Sequence, residues 1–206
     1  MDRKEHWDRV YSSKEPHELT WFQPRPESSL SLIRRTGLGP DAGVVDVGAG
    51  TSLLTASLLE EGYDDLSVLD VSPKALEVCR TQMGDRAEDV RWLEADLTAF
   101  EPDRRWDLWH DRAVYHFLTE EADRTAYSDA LGRALEPGGH LIIAAFDLQG
   151  PLRCSGLEVV RYSPESLLET MGSDFTLRGS LQEAHPTPSG GTQSFMYAWL
   201  QRVDGD

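Results

Sequence analysis

Hydrophobic positions in the first forty residues recur at helical spacing. Trp7, Val10 and Tyr11 stand at i, i+3 and i+4 in a charged segment, and Leu30 and Ile33 follow Pro26 in a second segment that stops at Gly37. This spacing predicts two short helices. The loop between them, from Pro16 to Pro26, carries the apolar pair Trp21-Phe22, which must pack on something. From Gly43 the pattern changes to short apolar runs alternating with amphipathic stretches. Val44–Val47, Leu66–Leu69, Val90–Leu93, Trp106–Trp109 and His140–Phe146 read as strands, the last being the most apolar and so a central one. Helices are predicted from Thr51 to just before Gly62, from the Ser72-Pro73 cap to Gly84, and from about Thr119 to Leu135, with Glu120 and Glu121 complementing the dipole of the last. Pro137-Gly138-Gly139 reads as a turn into the strand that follows it. Gly150 to Arg161 reads as irregular, Ser163-Pro164 caps a helix ending at Gly172, and Phe175–Leu181 with Phe195–Leu200 form an antiparallel hairpin with a long Pro/Gly-rich tip.

Repeated strand–helix units place the chain in the α/β class: a doubly wound sheet, mostly parallel with an antiparallel last strand, with right-handed crossovers and helices on both faces. At 206 residues a single domain is expected, its body at 41–206 and residues 1–40 forming an amino-terminal helical lid. The longest purely apolar run, Leu141 to Phe146, is far short of the ~18 residues a membrane span needs, and the amino terminus has no apolar signal core. A cytoplasmic protein without a membrane partner is expected. The formal net charge of −16 opposes binding to nucleic acid, which is dominated by basic groups displacing counterions. The acidity is uneven, because residues 1–40 hold seven basic and six acidic side chains and leave −17 to the remainder. Cys79 and Cys154 form neither a disulfide framework nor a zinc cluster, and no metal is expected.

In such a sheet, ligands bind beyond the carboxyl ends of the strands, so the residues just after each strand are informative. In order these are Asp46 with Gly48 and Gly50, then Asp70, Asp96 and Asp111. A buried strand that ends on an unpaired carboxylate costs several kcal/mol unless hydrogen bonds satisfy it. Gly48 and Gly50 suit either a tight strand-to-helix turn or close approach of a ligand to the backbone. Asp70, 20 residues after Gly50 at the end of the next strand, suits a ribose diol. Position 53 is Leu, so the third glycine of a pyrophosphate-binding G-x-G-x-x-G is missing.

These residues resemble the class I S-adenosylmethionine-dependent methyltransferases. The likeness rests on Val44-Val45-Asp46-Val47-Gly48-Ala49-Gly50-Thr51, Val68-Leu69-Asp70-Val71-Ser72, Glu94-Ala95-Asp96-Leu97, Trp106 to Asp111, and Leu135 to Leu141, five motifs in order between about Gly43 and Phe146. It implies a Rossmann-like sheet of seven strands and S-adenosylmethionine as cofactor, with S-adenosylhomocysteine as product. It further implies that Gly48 and Gly50 lie against the methionine moiety and ribose, that Asp46 contacts the amino-acid end, and that Asp70 holds the ribose. Asp96 would accept from the adenine amine, Val71 and Leu97 would sandwich the ring, and Asp111 would face the cofactor's cationic group. His6 to Tyr11 followed by Thr20-Trp21-Phe22-Gln23 resembles the lid of a branch that includes thiopurine-type and tellurite-resistance-type small-molecule enzymes and some protein-lysine methyltransferases. In that branch lid aromatics close over the cofactor, which puts Trp21 near the sulfonium as a cation–π partner.

Methyl transfer from a sulfonium needs alignment more than proton chemistry, and a base is required only for an acceptor that is protonated at neutral pH. The candidates for such a base are Tyr115 and His116. Two loops, from Arg153 to Tyr162 and from His185 to Gln193, are expected to shape the acceptor pocket, with Arg112, Arg153, Arg161 and His185 as acceptor-binding candidates and Cys154 as inert packing. The expected activity is methyl transfer to a small-molecule nucleophile. The alternatives are a protein-lysine methyltransferase and, outside methyl transfer, a nicotinamide-dependent oxidoreductase or a non-catalytic cofactor-binding protein.

Overall fold

The computed structural model describes residues 2–203. Helix α1 (Arg3–Ser13) starts at Asp2, whose side chain accepts from the Glu5 amide, and α2 (Glu27–Thr36) closes at Gly37 in the left-handed conformation. Then follow β1 (Val44–Val47), α3 (Leu54–Glu60), β2 (Leu66–Asp70), α4 (Pro73–Met83), β3 (Val90–Glu94), β4 (Trp106–Arg112), α5 (Glu121–Ala134) and β5 (Leu135–Phe146). A two-residue pair, β6 (Arg153–Cys154) and β7 (Leu157–Glu158), interrupts the stretch expected to be irregular. The chain ends with α6 (Pro164–Met171), β8 (Phe175–Pro186) and β9 (Thr192–Arg202).

Seven strands form one sheet in the order β3-β2-β1-β4-β5-β9-β8. β1, β2, β3, β4 and β5 pair in parallel, and β9 runs antiparallel to both β5 and β8. Strand side chains alternate between faces, which sorts the core into two layers. Val44, Val68, Leu108 and Ile142 pack with Leu30 of α2, Leu58 of α3 and Leu76 of α4. Val45, Val47, Trp109 and Ile143 pack with Tyr127 and Leu131 of α5 and Leu167 of α6. The doubly wound expectation is met, and so is the reversed last strand.

Local differences have local causes. α3 begins at Leu54 rather than Thr51, because Gly48 and Gly50 both take positive φ and the chain needs residues 48–53 to turn. The Pro137-Gly138-Gly139 turn lies inside β5 as a bulge, the register passing from Trp106↔Leu135 to Leu108↔His140. β4 runs on to Arg112, and β8 and β9 extend so far that only residues 187–191 remain as the hairpin tip. Consequently His185 and Gln193 are paired strand residues, not loop residues.

Candidate functional site

The sheet order reverses between β1 and β4, and a cleft opens at the carboxyl ends of these strands and β2. It contains about 1200 Å³ of empty space, counted out into solvent at its mouth. The turn after β1 forms its floor. A Cβ on Gly48 would lie 2.0 Å from Val114 Cγ2, and one on Gly50 would lie 2.3 Å from Tyr11 Oη, so the glycines admit protein side chains packed on a left-handed turn. The Gly50 amide donates to Asp70 Oδ2 at 2.8 Å, and the Ser72 amide donates to Asp70 Oδ1 at 2.8 Å. Burial pushes the Asp70 carboxyl up to about 6, against these two hydrogen bonds and with help from the Asp46 carboxylate.

Asp46, in register with His110 on the neighbouring strand, begins a buried chain. Its Oδ1 lies 2.7 Å from His110 Nδ1, and His110 Nε2 lies 2.9 Å from Ser29 Oγ on α2. A serine, a histidine and an aspartate in this order suggest a nucleophilic triad, but Ser29 is wholly buried and does not line the cleft. The chain instead ties α2 to the sheet and orients Asp46, whose Oδ2 is buried without a partner.

The amino-terminal segment roofs the cleft with Trp7, Tyr11, Trp21 and Phe22. Trp7 stacks on Tyr11 and meets Trp21 and Phe117 edge-on. Polar contacts hold this roof at both ends. On the β3 side, Arg3 donates to Asp96 Oδ2 at 3.2 Å and to Thr98 Oγ1 at 2.8 Å and pairs with Asp123, while Ser72 Oγ donates to Asp8 at 2.5 Å. Burial works against the charge on Asp96, yet the Thr98 amide and hydroxyl, followed by Arg3, outweigh it and hold the carboxyl below its usual range. On the β8–β9 side, Arg112 Nη1 donates to the Trp21 carbonyl at 2.9 Å, His185 Nε2 donates to the Thr20 carbonyl at 2.9 Å, and Gln23 Nε2 donates to Glu183 Oε1 at 2.8 Å.

Of the residues singled out from sequence, Trp21, Asp46, Gly48, Asp70, Val71, Asp96, Leu97 and Arg112 line the cleft, and Gly50 stands beside it as the anchor of Asp70. Six others lie elsewhere. Asp111 is wholly buried on the α5 face, where it accepts from the Val114 and Tyr115 amides and from Tyr127 Oη at 2.9 Å; burial pushes its carboxyl up to about 6. Tyr115 is buried against Tyr127 and Tyr162 with its hydroxyl unpartnered, and burial raises its pKa. His116 is buried between Phe117 and Phe146, and burial pushes it down to about 3. Arg153 is exposed and donates to the Gly156 carbonyl, Arg161 donates to the Leu148 and Gly150 carbonyls, and His185 holds the roof from behind. Sequence reasoning passed over Arg3 and Val114 in the cleft and the Ser29–His110 support beneath it, whereas Tyr11 and Gln193 line the cleft from the segments expected to form the lid and the acceptor pocket. His110 alone had a local signal, a polar residue inside an apolar strand.

Residues 44–139 match a family described as a methyltransferase domain. Over these residues, just under half of its length, the chain is similar to S-adenosylmethionine-dependent methyltransferases. It is 28% identical over 121 residues to nodulation protein S of Rhizobium tropici, covering 59% of this chain and 50% of that protein. It is 34% identical over 126 residues to trans-aconitate 2-methyltransferase of Azoarcus sp. strain BH72, covering 61% and 47%. This chain thus spans about half the length of these two relatives. EEF1A lysine methyltransferase 2 of Mus musculus is 26% identical over 166 residues, covering 70% and 66%. Among solved structures, the one described as "Conversion of a Disulfide Bond into a Thioacetal Group during Echinomycin Biosynthesis" superposes with a TM-score of 0.78 at 21% identity over 100% of this chain and 95% of the other. N-methyltransferase NodS from Bradyrhizobium japonicum WM9, in complex with S-adenosyl-l-homocysteine, superposes with a TM-score of 0.69 at 18% identity over 97% of each chain. At these identities the structural likeness is one of fold. The motifs at Val44–Thr51, Val68–Ser72 and Glu94–Leu97 contribute residues to the cleft, whereas Trp106–Asp111 and Leu135–Leu141 do not line it.

Proposed function

We propose that this protein binds S-adenosylmethionine in the cleft and transfers its methyl group to a small-molecule nucleophile. The observation that carries the reading is Asp70, a buried carboxylate anchored by the glycine turn at the point where the strand order reverses. The residues present fit the cofactor. Asp46 Oδ2, buried and unpartnered, suits its ammonium, and Asp70 keeps lone pairs free for a ribose diol beyond the two taken by backbone amides. Val71 and Leu97 supply apolar walls for a ring, and Asp96 supplies an acceptor for an exocyclic amine. Trp21 offers an aromatic face for a sulfonium.

When bound, the cofactor supplies an activated methyl carbon whose leaving group departs uncharged. The protein's own part is to position and to exclude water. The aromatic roof, held at Asp96 and at Glu183, closes the cleft over the reactants, and the Ser29–His110 chain keeps Asp46 oriented. Tyr115 and His116 lie outside the cleft and take no part in proton transfer on this reading.

A small acceptor is supported by the roofed shape of the cleft and by the named activity of the Azoarcus relative. Calorimetry with S-adenosylmethionine and with NAD tests the first half; saturation at 100 times Kd raises unfolding stability by about 2.7 kcal/mol. Binding of NAD without S-adenosylmethionine overturns the reading. Labelled-methyl transfer to small molecules and to proteins tests the second half, and label confined to protein lysine replaces the small-molecule acceptor with a polypeptide.

A further inference from the structure

The cleft has a second pole that the cofactor reading does not use. Away from Asp70 and Asp96 it is lined by Arg112 of β4, by Gln193 and Phe195 of β9, by Cys154 of β6, and by Phe22 of the roof. Gln193, Phe195 and Tyr197 are two residues apart on one strand and share one face of it. The Arg112 guanidinium lies 4.9 Å from the Phe195 ring centroid, and its Nε donates to Tyr197 Oη at 2.9 Å, so Arg112 packs on the strand that carries Gln193.

The hydrogen bonding of Arg112 is incomplete. Nε and Nη1 are used by Tyr197 and by the Trp21 carbonyl, whereas Nη2 is buried with no hydrogen-bond acceptor. The nearest carboxylate oxygen, Glu183 Oε1, stands 3.7 Å from Nη2 and already accepts from Gln23 Nε2, while Glu183 Oε2 accepts from Tyr197 Oη. Gln193 Oε1 is likewise buried without a partner. A desolvated guanidinium N–H and a desolvated amide oxygen lining one cleft are costly unless something binds them. Glu183, whose two oxygens already accept from Gln23 and Tyr197, is the acid that faces Nη2, and burial raises the Cys154 thiol and keeps it neutral. No histidine or lysine lines the cleft among the described residues, so none is available to deprotonate an ammonium.

Resting on the methyltransferase reading above, we infer that Arg112 Nη2 and the Gln193 amide form the acceptor subsite, and that the acceptor atom belongs to an anionic group, a carboxylate or a thiolate. An anion answers the unpaired guanidinium N–H, and the amide of Gln193 can turn its NH2 toward a second lone pair. It also balances the reaction without a base. The acceptor's lone pair forms the new bond to the methyl carbon, the carbon–sulfur bond of the sulfonium breaks with its pair staying on sulfur, and anion and cation both become neutral, with no proton to remove. An ammonium acceptor would meet Arg112 as a like charge and would have to lose a proton first.

The test is calorimetric binding of matched probes, 3-phenylpropionate against 3-phenylpropylamine, to the full chain saturated with S-adenosylhomocysteine. The carboxylate is expected to bind at least about tenfold more tightly than the amine. Gln193→Glu, which adds a carboxylate to the same cleft lining, is expected to abolish or reverse that preference. Arg112→Lys is expected to reduce it, with the affinity for S-adenosylhomocysteine recorded separately because Arg112 also holds the roof. Equal affinities, preference for the amine, no binding of either probe at millimolar concentration, or an unchanged preference in Gln193→Glu would overturn the inference. Failure of S-adenosylhomocysteine to bind the wild-type chain would instead overturn the methyltransferase reading. Labelled-methyl transfer to 3-phenylpropionate and to 3-phenylpropanethiol then distinguishes the carboxylate from the thiolate.

Discussion

Asp70 and Asp111 stand at the carboxyl ends of β2 and β4, on either side of β1, both are buried, and burial raises both carboxyls to about 6, yet only Asp70 reaches the cleft. An unfolded aspartate titrates near 3.9, so between about pH 4 and about 6 the folded chain holds protons at these two sites that the unfolded chain has lost. Raising the pH through that window therefore withdraws stability at these sites, and lowering it restores stability. Asp111→Asn should remove its share, giving a flatter change in urea-unfolding free energy from pH 4 to pH 6 than the wild type. An identical pH dependence in the two proteins would contradict the burial argument. Asp70→Asn should keep the fold while weakening S-adenosylmethionine binding about 10- to 100-fold, the range for losing hydrogen bonds to a charged group; calorimetry measures this directly. The aspartates were legible in sequence as strand ends. Which face each one serves was not, because alternation along a strand has no absolute sign until the helices are placed.

At the scale of elements, the turn between β1 and α3 shows how a short motif is set by its neighbours. Gly48 has φ 57° and would place a Cβ 2.0 Å from Val114 Cγ2, a residue far away in sequence. Gly62, after α3, has φ 94° with nothing within 4 Å of its Cβ position. Gly48→Ala is expected to destabilise by about 2–4 kcal/mol, combining the left-handed backbone penalty with overpacking, whereas Gly62→Ala should cost only about 1–2 kcal/mol from the backbone. Urea unfolding of both variants checks the difference. The two-glycine motif was visible in the sequence, but its partners Val114 and Tyr11 come from a loop after β4 and from α1, and spacing along the chain carries no trace of them. The helix caps were legible for the opposite reason: Ser72-Pro73 and Ser163-Pro164 act within one turn, and both appear as expected.

Across the whole molecule, a net charge of −16 is distributed over a body that ion pairs only partly offset. Exposed pairs such as Lys4–Glu94 and Arg86–Asp89 contribute little each, so screening of the overall repulsion outweighs their loss as salt is added. The thermal midpoint should rise by a few degrees between low and moderate sodium chloride concentration, as followed by circular dichroism. A falling midpoint would show that the ion pairs dominate.

The sequence by itself determined the α/β class, the strand and helix order, the family motifs and the four acidic strand ends, because each depends on periodicity or on residues within a few positions of one another. Tertiary structure decided which of those residues share a cleft. It placed Asp111 and Tyr115 in the layer under α5 and buried His116 against Phe146, turned His185 and Arg112 into supports for the roof, and brought Arg3 to Asp96 and both Arg112 and Gln193 to the lining of one cleft. The Arg3–Asp96, Arg112–Trp21 and His185–Thr20 hydrogen bonds join residues 91 to 165 positions apart, and only the packing of two helical layers on a twisted sheet sets them.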